Sequence, residues 1–242
     1  MIEIKSVTKK YGKFTALNNV SFTVNDNECF ALLGFNGAGK TTLINAITTI
    51  IPFDDGEILV NGFNVVKNST EVKSIINISP QEIAVAKNLT VYENLSLICD
   101  LYDVKNKQTA IDNVLNDFGL TEKKNALAKK LSGGQLKRLS IALAVITQPK
   151  ILFLDEPTLG LDVRARQTLW SVIKGLKGKM TLFLTTHYLE EVEELTDRLA
   201  IIDKGVVKAV GTKQEVLALA NASTIEQAFL TLAEGDGEGE NE

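Results

Sequence analysis

The stretch Gly34-Phe35-Asn36-Gly37-Ala38-Gly39-Lys40-Thr41 limits the possible folds of this chain more than any other. It has the spacing GxxxxGK[ST], with the apolar run "CFALL" before it and "TLINAIT", apolar at helical spacing, after it. A run without polar alternation reads as a strand buried on both faces, which belongs in a parallel sheet covered by helices. The glycines let backbone N–H groups wrap an anion, and the helix start adds favourable partial charge. Lys40 is then placed for the outer phosphates of a nucleotide and the Thr41 hydroxyl for Mg²⁺.

The rest of the chain is organised around that unit. Residues 1–30 alternate apolar and polar in "IEIKSV" and "VSFTV", which predicts antiparallel strands turning near Asn18-Asn19. "EILVNGFNV" predicts a hairpin turning at Asn61-Gly62. From about residue 82 to 147 the periodicity becomes helical, in "VYENLSLICDLY", "TAIDNVLNDFGL" and "QLKRLSIALAVI". Strand–helix alternation then returns with "ILFLDEP", a helix near 163–176, "MTLFLTTH", "LEEVEEL" and "RLAIIDKG". The expected fold is α/β, with an antiparallel β subdomain and a helical subdomain inserted at about 82–147.

Composition sets limits on function. Net charge is −4 with a pI near 5.3, which argues against a nucleic-acid partner. The closing "EGDGEGENE" is too polar to pack, so residues 235–242 are expected to form an acidic disordered tail after a domain spanning 1–234. No apolar run approaches the roughly 20 residues that cross a bilayer, and no leader is evident at the start, so a cytoplasmic location is expected. Cys29 and Cys99 have no CxxC partner or nearby histidine and read as buried free thiols. Lys129, Lys130, Lys137 and Arg138 read as a solvated basic patch, and Glu190, Glu191, Glu193 and Glu194 as a solvated helix face.

"ILFLDEP" ends a buried strand in two carboxylates. Beside the phosphate loop, Asp155 is placed to hold a Mg²⁺-bound water and Glu156 to act as general base on the attacking water. "KLSGGQLKR" is a second glycine-rich helix start, with Ser132 as N-cap, but it carries no phosphate-loop lysine.

Taken together these motifs resemble the nucleotide-binding subunit of an ABC transporter, over nearly the whole chain. The family's motifs occur here in order: Gly34–Thr41, Gln81 in "ISPQE", Leu131–Gln135, Asp155-Glu156, Asp162 in "LGLD" and His187 in "TTH". The resemblance implies an ABC-ATPase core with ATP and Mg²⁺ as ligands. ATP would be held by Tyr11, which stacks on adenine with Phe14 as the alternative, and by Gly34, Phe35, Asn36, Gly37, Ala38, Gly39, Lys40, Thr41 and Thr42. Mg²⁺ would sit on Thr41, Gln81 and Asp155, with Glu156, His187 and Gln81 serving catalysis. It further implies that two subunits pack head to tail, as a homodimer or with a similar ATPase. Leu131, Ser132, Gly133, Gly134 and Gln135 then serve the partner's ATP, which explains the missing lysine, and Asp162 marks the aspartate loop. Leu159-Gly160 stands where many members have Ser-Ala, which bears on the packing beside Asp162. A separate membrane-spanning subunit is implied, with this chain on its cytoplasmic face. "TTHYLEEVEELTDRLAIIDKG" and "TIEQAFLTLAEG" resemble ATPases of ABC-2 type exporters of drugs, antibiotics, lipids or polysaccharides. The alternatives are an importer ATPase and a soluble non-transport ABC ATPase. A GTPase is disfavoured, because "NKQT" lacks the aspartate that would read guanine.

Overall fold

The structure, a computed structural model, describes residues 1–234, so the acidic tail lies outside the described residues. The chain opens with β1 (Ile2–Tyr11) and β2 (Phe14–Val24), followed by β3 (Cys29–Leu33), which feeds α1 (Lys40–Ile47). Next come β4 (Asp55–Val60), β5 (Phe63–Asn64), α2 (Ser69–Ile75) and β6 (Ile76–Ser79). The helical block holds α3 (Val91–Leu101), α4 (Lys107–Asp117) and α5 (Gly133–Val145). The chain then runs through β7 (Ile151–Asp155), α6 (Val163–Leu176), β8 (Thr181–Thr186), α7 (Leu189–Leu195) and β9 (Arg198–Asp203). It closes with β10 (Val206–Thr212), α8 (Lys213–Leu219) and α9 (Ile225–Glu234).

Two sheets form. The smaller is antiparallel, in the order β2-β1-β4-β5; the larger runs β10-β9-β3-β8-β7-β6, parallel except for the edge strand β10. The Asn61-Gly62 turn forms as expected, both residues taking positive φ so that Val60 pairs with Phe63. The first hairpin does not turn at Asn18-Asn19. It turns at Gly12-Lys13, where Tyr11 pairs with Phe14, and the two asparagines lie inside β2 at a register shift, Asn19 with φ 52° absorbing the extra residue.

β3, β7 and β8 are buried on both faces, as their uninterrupted apolar sequences require. Alternate residues therefore enter different cores. Phe30, Phe153 and Phe183 face the antiparallel sheet and α1, whereas Ala31, Leu152, Leu154, Leu182 and Leu184 face the helices. On the first side Phe183 touches three aromatic rings, with centroids 6.4 Å from Phe22, 5.7 Å from Phe30 and 5.4 Å from Phe153. On the second side Leu139, Ile141 and Leu143 of α5 join the same cluster as the sheet residues, so the helical block does not have a core of its own.

Cys29 and Cys99 are both buried and unbridged. Burial pushes the Cys29 thiol up to about 12, so it carries almost no thiolate at neutral pH. Iodoacetamide at pH 8 should leave Cys29 unmodified in the native protein and alkylate it in urea; rapid native labelling by mass spectrometry would contradict this burial. Phe183→Ala should lose about 3–5 kcal/mol in urea unfolding, because the three rings cannot collapse into the space it leaves. A loss below about 1 kcal/mol would mean the ring cluster does not hold the sheets together.

Candidate functional site

The site lies where the parallel strands end. β3 pairs with β8 so that Leu33 lies beside Thr186, and β8 pairs with β7 so that Thr185 lies beside Asp155. The three residues that follow, Gly34, His187 and Glu156, therefore emerge side by side at one edge of the sheet. Crevices at the carboxyl ends of parallel strands are the usual ligand positions in such sheets. Here they open into a cleft of about 490 Å³ lined by Tyr11, Phe14, Ala16, Asn36, Gly37, Gly39, Lys40, Thr41, Thr42, Gln81, Glu156, Leu159 and His187.

The loop backbone depends on glycine at two places. Gly39 sits at φ 104° as the N-cap of α1, and a Cβ there would come within 2.6 Å of the Ala16 carbonyl oxygen. A Cβ on Gly34 would come within 2.4 Å of the Ile202 carbonyl oxygen. Lys40 folds back into this loop, its Nζ donating to the carbonyls of Gly34 at 2.8 Å and Phe35 at 3.1 Å. The same ammonium lies 3.1 Å from Glu156 Oε1, both side chains about 6% exposed. His187 Nδ1 approaches Glu156 Oε2 to 2.8 Å, yet neither atom has an aligned hydrogen-bond partner among the described residues. Glu156 itself holds φ 47°, unusual for a side-chain-bearing residue, with its N–H donating to the Thr185 carbonyl and hydroxyl. Thr41 Oγ1 lies 3.1 Å from Asp155 Oδ2, and the Thr185 hydroxyl donates to Asp155 Oδ1. Tyr11 and Phe14, both exposed, face each other at the tip of the first hairpin and line the same cleft.

The family's signature, the residues Leu131, Ser132, Gly133, Gly134 and Gln135, lies elsewhere. Ser132 caps α5: its hydroxyl accepts from the Gln135 N–H at 3.3 Å, and the Gln135 side chain accepts from the Ser132 N–H at 3.0 Å. That leaves the Gly133 and Gly134 N–H groups as first-turn donors. Leu131 is buried beneath them. Gly134 packs closely on α6, where a Cβ would meet that of Ala165 at 2.8 Å, whereas a Cβ on Gly133 would meet nothing within 4 Å. Ser132, Gly134 and Gln135 share a cleft of about 230 Å³ with Asp162, which N-caps α6 by accepting from the Ala165 N–H. That cleft has no lining residue in common with the first.

Two charged groups differ from expectation. Lys129 and Lys130 are exposed, but Lys137 is only 3% exposed and its Nζ donates to the Pro80 and Gln81 carbonyls. Arg138 donates to the Phe118 carbonyl. On α7, Glu190, Glu193 and Glu194 are exposed, but Glu191 is fully buried and accepts from the Thr158 hydroxyl and, at 3.5 Å, from Trp170 Nε1. Burial holds the Glu191 carboxyl above the usual carboxylate range, against hydrogen bonds from Thr158, Thr186 and Trp170. Helical spacing does carry a signal for both: Glu191 lies four residues before buried Leu195, and Lys137 four before buried Ile141.

A family model described as ABC transporter matches residues 17–159, more than half of the chain. The chain belongs to the ABC transporter family. Among similar proteins, the linearmycin resistance ATP-binding protein of Bacillus subtilis is 39% identical over 231 residues, covering 94% of this chain and 74% of that one. The daunorubicin resistance ATP-binding protein DrrA3 of Streptomyces coeruleorubidus is 37% identical, covering 90% and 70%. A solved ATP-binding subunit of an ABC transporter superposes with a TM-score of 0.86 at 26% identity, over 96% of this chain and 99% of that one. A dimeric ATP-binding cassette in a post-hydrolysis state with ADP and Pi gives 0.77 at 25%, over 88% and 98%. As an ABC transporter ATP-binding subunit, the chain is an ATPase whose hydrolysis is coupled to transport.

Glu156→Gln keeps the shape of the side chain but not its charge. It should retain ATP binding and lose turnover by about 10²–10⁴-fold, measured by phosphate release. Wild-type turnover in this variant would exclude Glu156 as the base.

Proposed function

We propose that this chain energises export through a separate membrane-spanning subunit, working as a head-to-tail dimer at the membrane's cytoplasmic face. Among the described residues no helix is long and apolar enough to cross a membrane, and in this reading a membrane-spanning partner supplies the pathway for cargo. The resistance proteins named above favour export, with antibiotic-like molecules as the cargo class. The observation that carries the dimer is the separation of the two clefts: one has a lysine, a base and a histidine, and the other a glycine-rich helix start at which Gly133 faces open space.

In this reading Tyr11 or Phe14 stacks on adenine, and residues 34–42 wrap the phosphates. Lys40 exchanges the Gly34 and Phe35 carbonyls for phosphate oxygens, a charge-assisted contact that repays the bonds it leaves. Releasing Lys40 frees Glu156 to take a proton from the attacking water, while His187 supports the γ-phosphate. Glu156 Oε2 and His187 Nδ1 lie 2.8 Å apart without an aligned hydrogen bond, so a small rearrangement as nucleotide enters re-pairs both. Mg²⁺ fits the donors present: Thr41 hydroxyl, Gln81 side chain and Asp155 supply one carboxylate and neutral oxygens, the set Mg²⁺ takes with nucleotide phosphates. When bound it neutralises charge on the phosphate oxygens. The partner's Gly133 and Gly134 N–H groups complete the γ-phosphate shell.

The test mixes Lys40→Ala protomers with Gly133→Asp protomers, each inactive alone. A mixed dimer joins one intact phosphate loop to one intact signature, so activity should recover to roughly a quarter of wild type at most. Lys40→Ala mixed with Glu156→Gln should show no rescue, because both changes damage the same side. Rescue in the second mixture but not the first would place the signature on its own subunit's ATP.

A further inference from the structure

We infer that Lys137 is a positioning residue that ties the signature helix to Gln81, so that the segment facing one nucleotide moves with the helix start facing the other. The inference rests on the dimer reading above, and it adds a link inside each subunit that the reading does not contain.

Lys137 lies two residues past Gln135 on α5, and its ammonium reaches away from solvent to the backbone of a different segment. Nζ lies 3.1 Å from the Pro80 carbonyl oxygen and 3.2 Å from that of Gln81. Among the described residues it makes no ion pair, so these carbonyls bear most of the charge it brings into the interior. A buried ammonium is expensive, and an apolar side chain of similar length would pack there at less cost. Burial indeed lowers its proton affinity, with the fields of Asp155, Glu191 and Glu156 opposing the drop. What the ammonium gains, and a methyl group could not, is a grip on two consecutive carbonyls.

Those carbonyls belong to a segment with little else to fix it. Strand pairing ends at Ser79, and α3 does not begin until Val91. The later part of the connection is held by Asn94, whose amide bonds both the N–H and the carbonyl of Ala86 and reaches the carbonyls of Leu89 and Thr90. The earlier part, where Gln81 enters the nucleotide cleft opposite Lys40 and Glu156, is held by Lys137. α5 also bonds β6 through Ser140 to Ser79 and through the Ala144 carbonyl to Asn77, but beyond Ser79 a displacement of α5 reaches the backbone of Gln81 through Lys137. In the dimer reading, any movement of α5 as its glycines meet the partner's phosphate is passed on to Gln81, which then reports closure at the other site.

The test uses the full-length chain with Lys137→Met, which keeps the stem and removes the donor, and Lys137→Arg, which keeps a charged donor. In the nucleotide-free protein, cleavage of the 80–85 connection by proteinase K should quicken about tenfold in K137M and return towards wild type in K137R. With ATP, K137M should lower kcat about tenfold with KM for ATP within about twofold, and raise the Mg²⁺ needed for half-maximal rate about fivefold; K137R should restore most of this. Unchanged cleavage in K137M would overturn the tether. Faster cleavage with wild-type kcat and Mg²⁺ dependence would overturn the positioning role, as would equal losses in both variants with a lowered melting temperature. If K137M does not fold, K137A replaces it with the same expectations. Failure of the ATPase reading itself would show differently, as absent turnover in wild type with the cleavage effect intact.

Discussion

The register of β7, β8 and β3 sets the geometry on which the rest of the molecule depends. Pairing Asp155 with Thr185 and Leu33 with Thr186 brings a carboxylate pair, a histidine and a glycine-rich loop to one edge, although they lie far apart in sequence. A slip of one residue would turn every side chain of a strand to the opposite face. Because both faces of these strands are packed, such a slip would also exchange the phenylalanines of one core for the leucines of the other. The same contacts that stabilise the sheet thus hold the chemistry in place, and the hydrogen bonds from Thr185 to Asp155 and from Glu156 to Thr185 finish the alignment.

Within that frame Lys40 and Glu156 form an ion pair with both side chains about 6% exposed, where removing one partner commonly costs about 3–5 kcal/mol. A phosphate entering this cleft does not create a charged site so much as change which partners an existing charge holds. The left-handed backbone at Glu156 fits the same picture: strain of this kind persists only where the surroundings over-determine it, and here both its neighbours and its N–H are fixed.

Much of this was legible in the sequence, for reasons that can be named. The phosphate loop, the apolar strands ending in "DE" and "TTH", and the Asn61-Gly62 turn each encode local backbone chemistry, and local chemistry is what a sequence states directly. The Ser132 cap was legible for the same reason. The first hairpin turn was not, because Asn18-Asn19 has turn chemistry but lies in a bulge whose place is set by pairing with β1. Lys137 and Glu191 are of residue types that are usually solvated, and only their helical positions mark them as buried. Their partners are the carbonyls of Pro80 and Gln81 and the hydroxyl of Thr158, which are distant in sequence, so no local pattern names them.

The shared core on the helical side has a consequence for how the subunit can change shape. If the helical block had its own apolar centre, it could swing about a hinge as an independent globule, and the intervening surface would be polar and wet. Here Leu139, Ile141 and Leu143 pack in the same cluster as Leu152, Leu154 and Leu182. Any rotation of the block must slide greasy side chains over one another without opening a gap, which is shear rather than hinge motion. Shear between close-packed surfaces proceeds through small, discrete steps, because intermediate positions leave side chains out of their wells. The subunit is therefore built to occupy a few distinct postures rather than a continuum, a mechanical ratchet made of leucines and isoleucines.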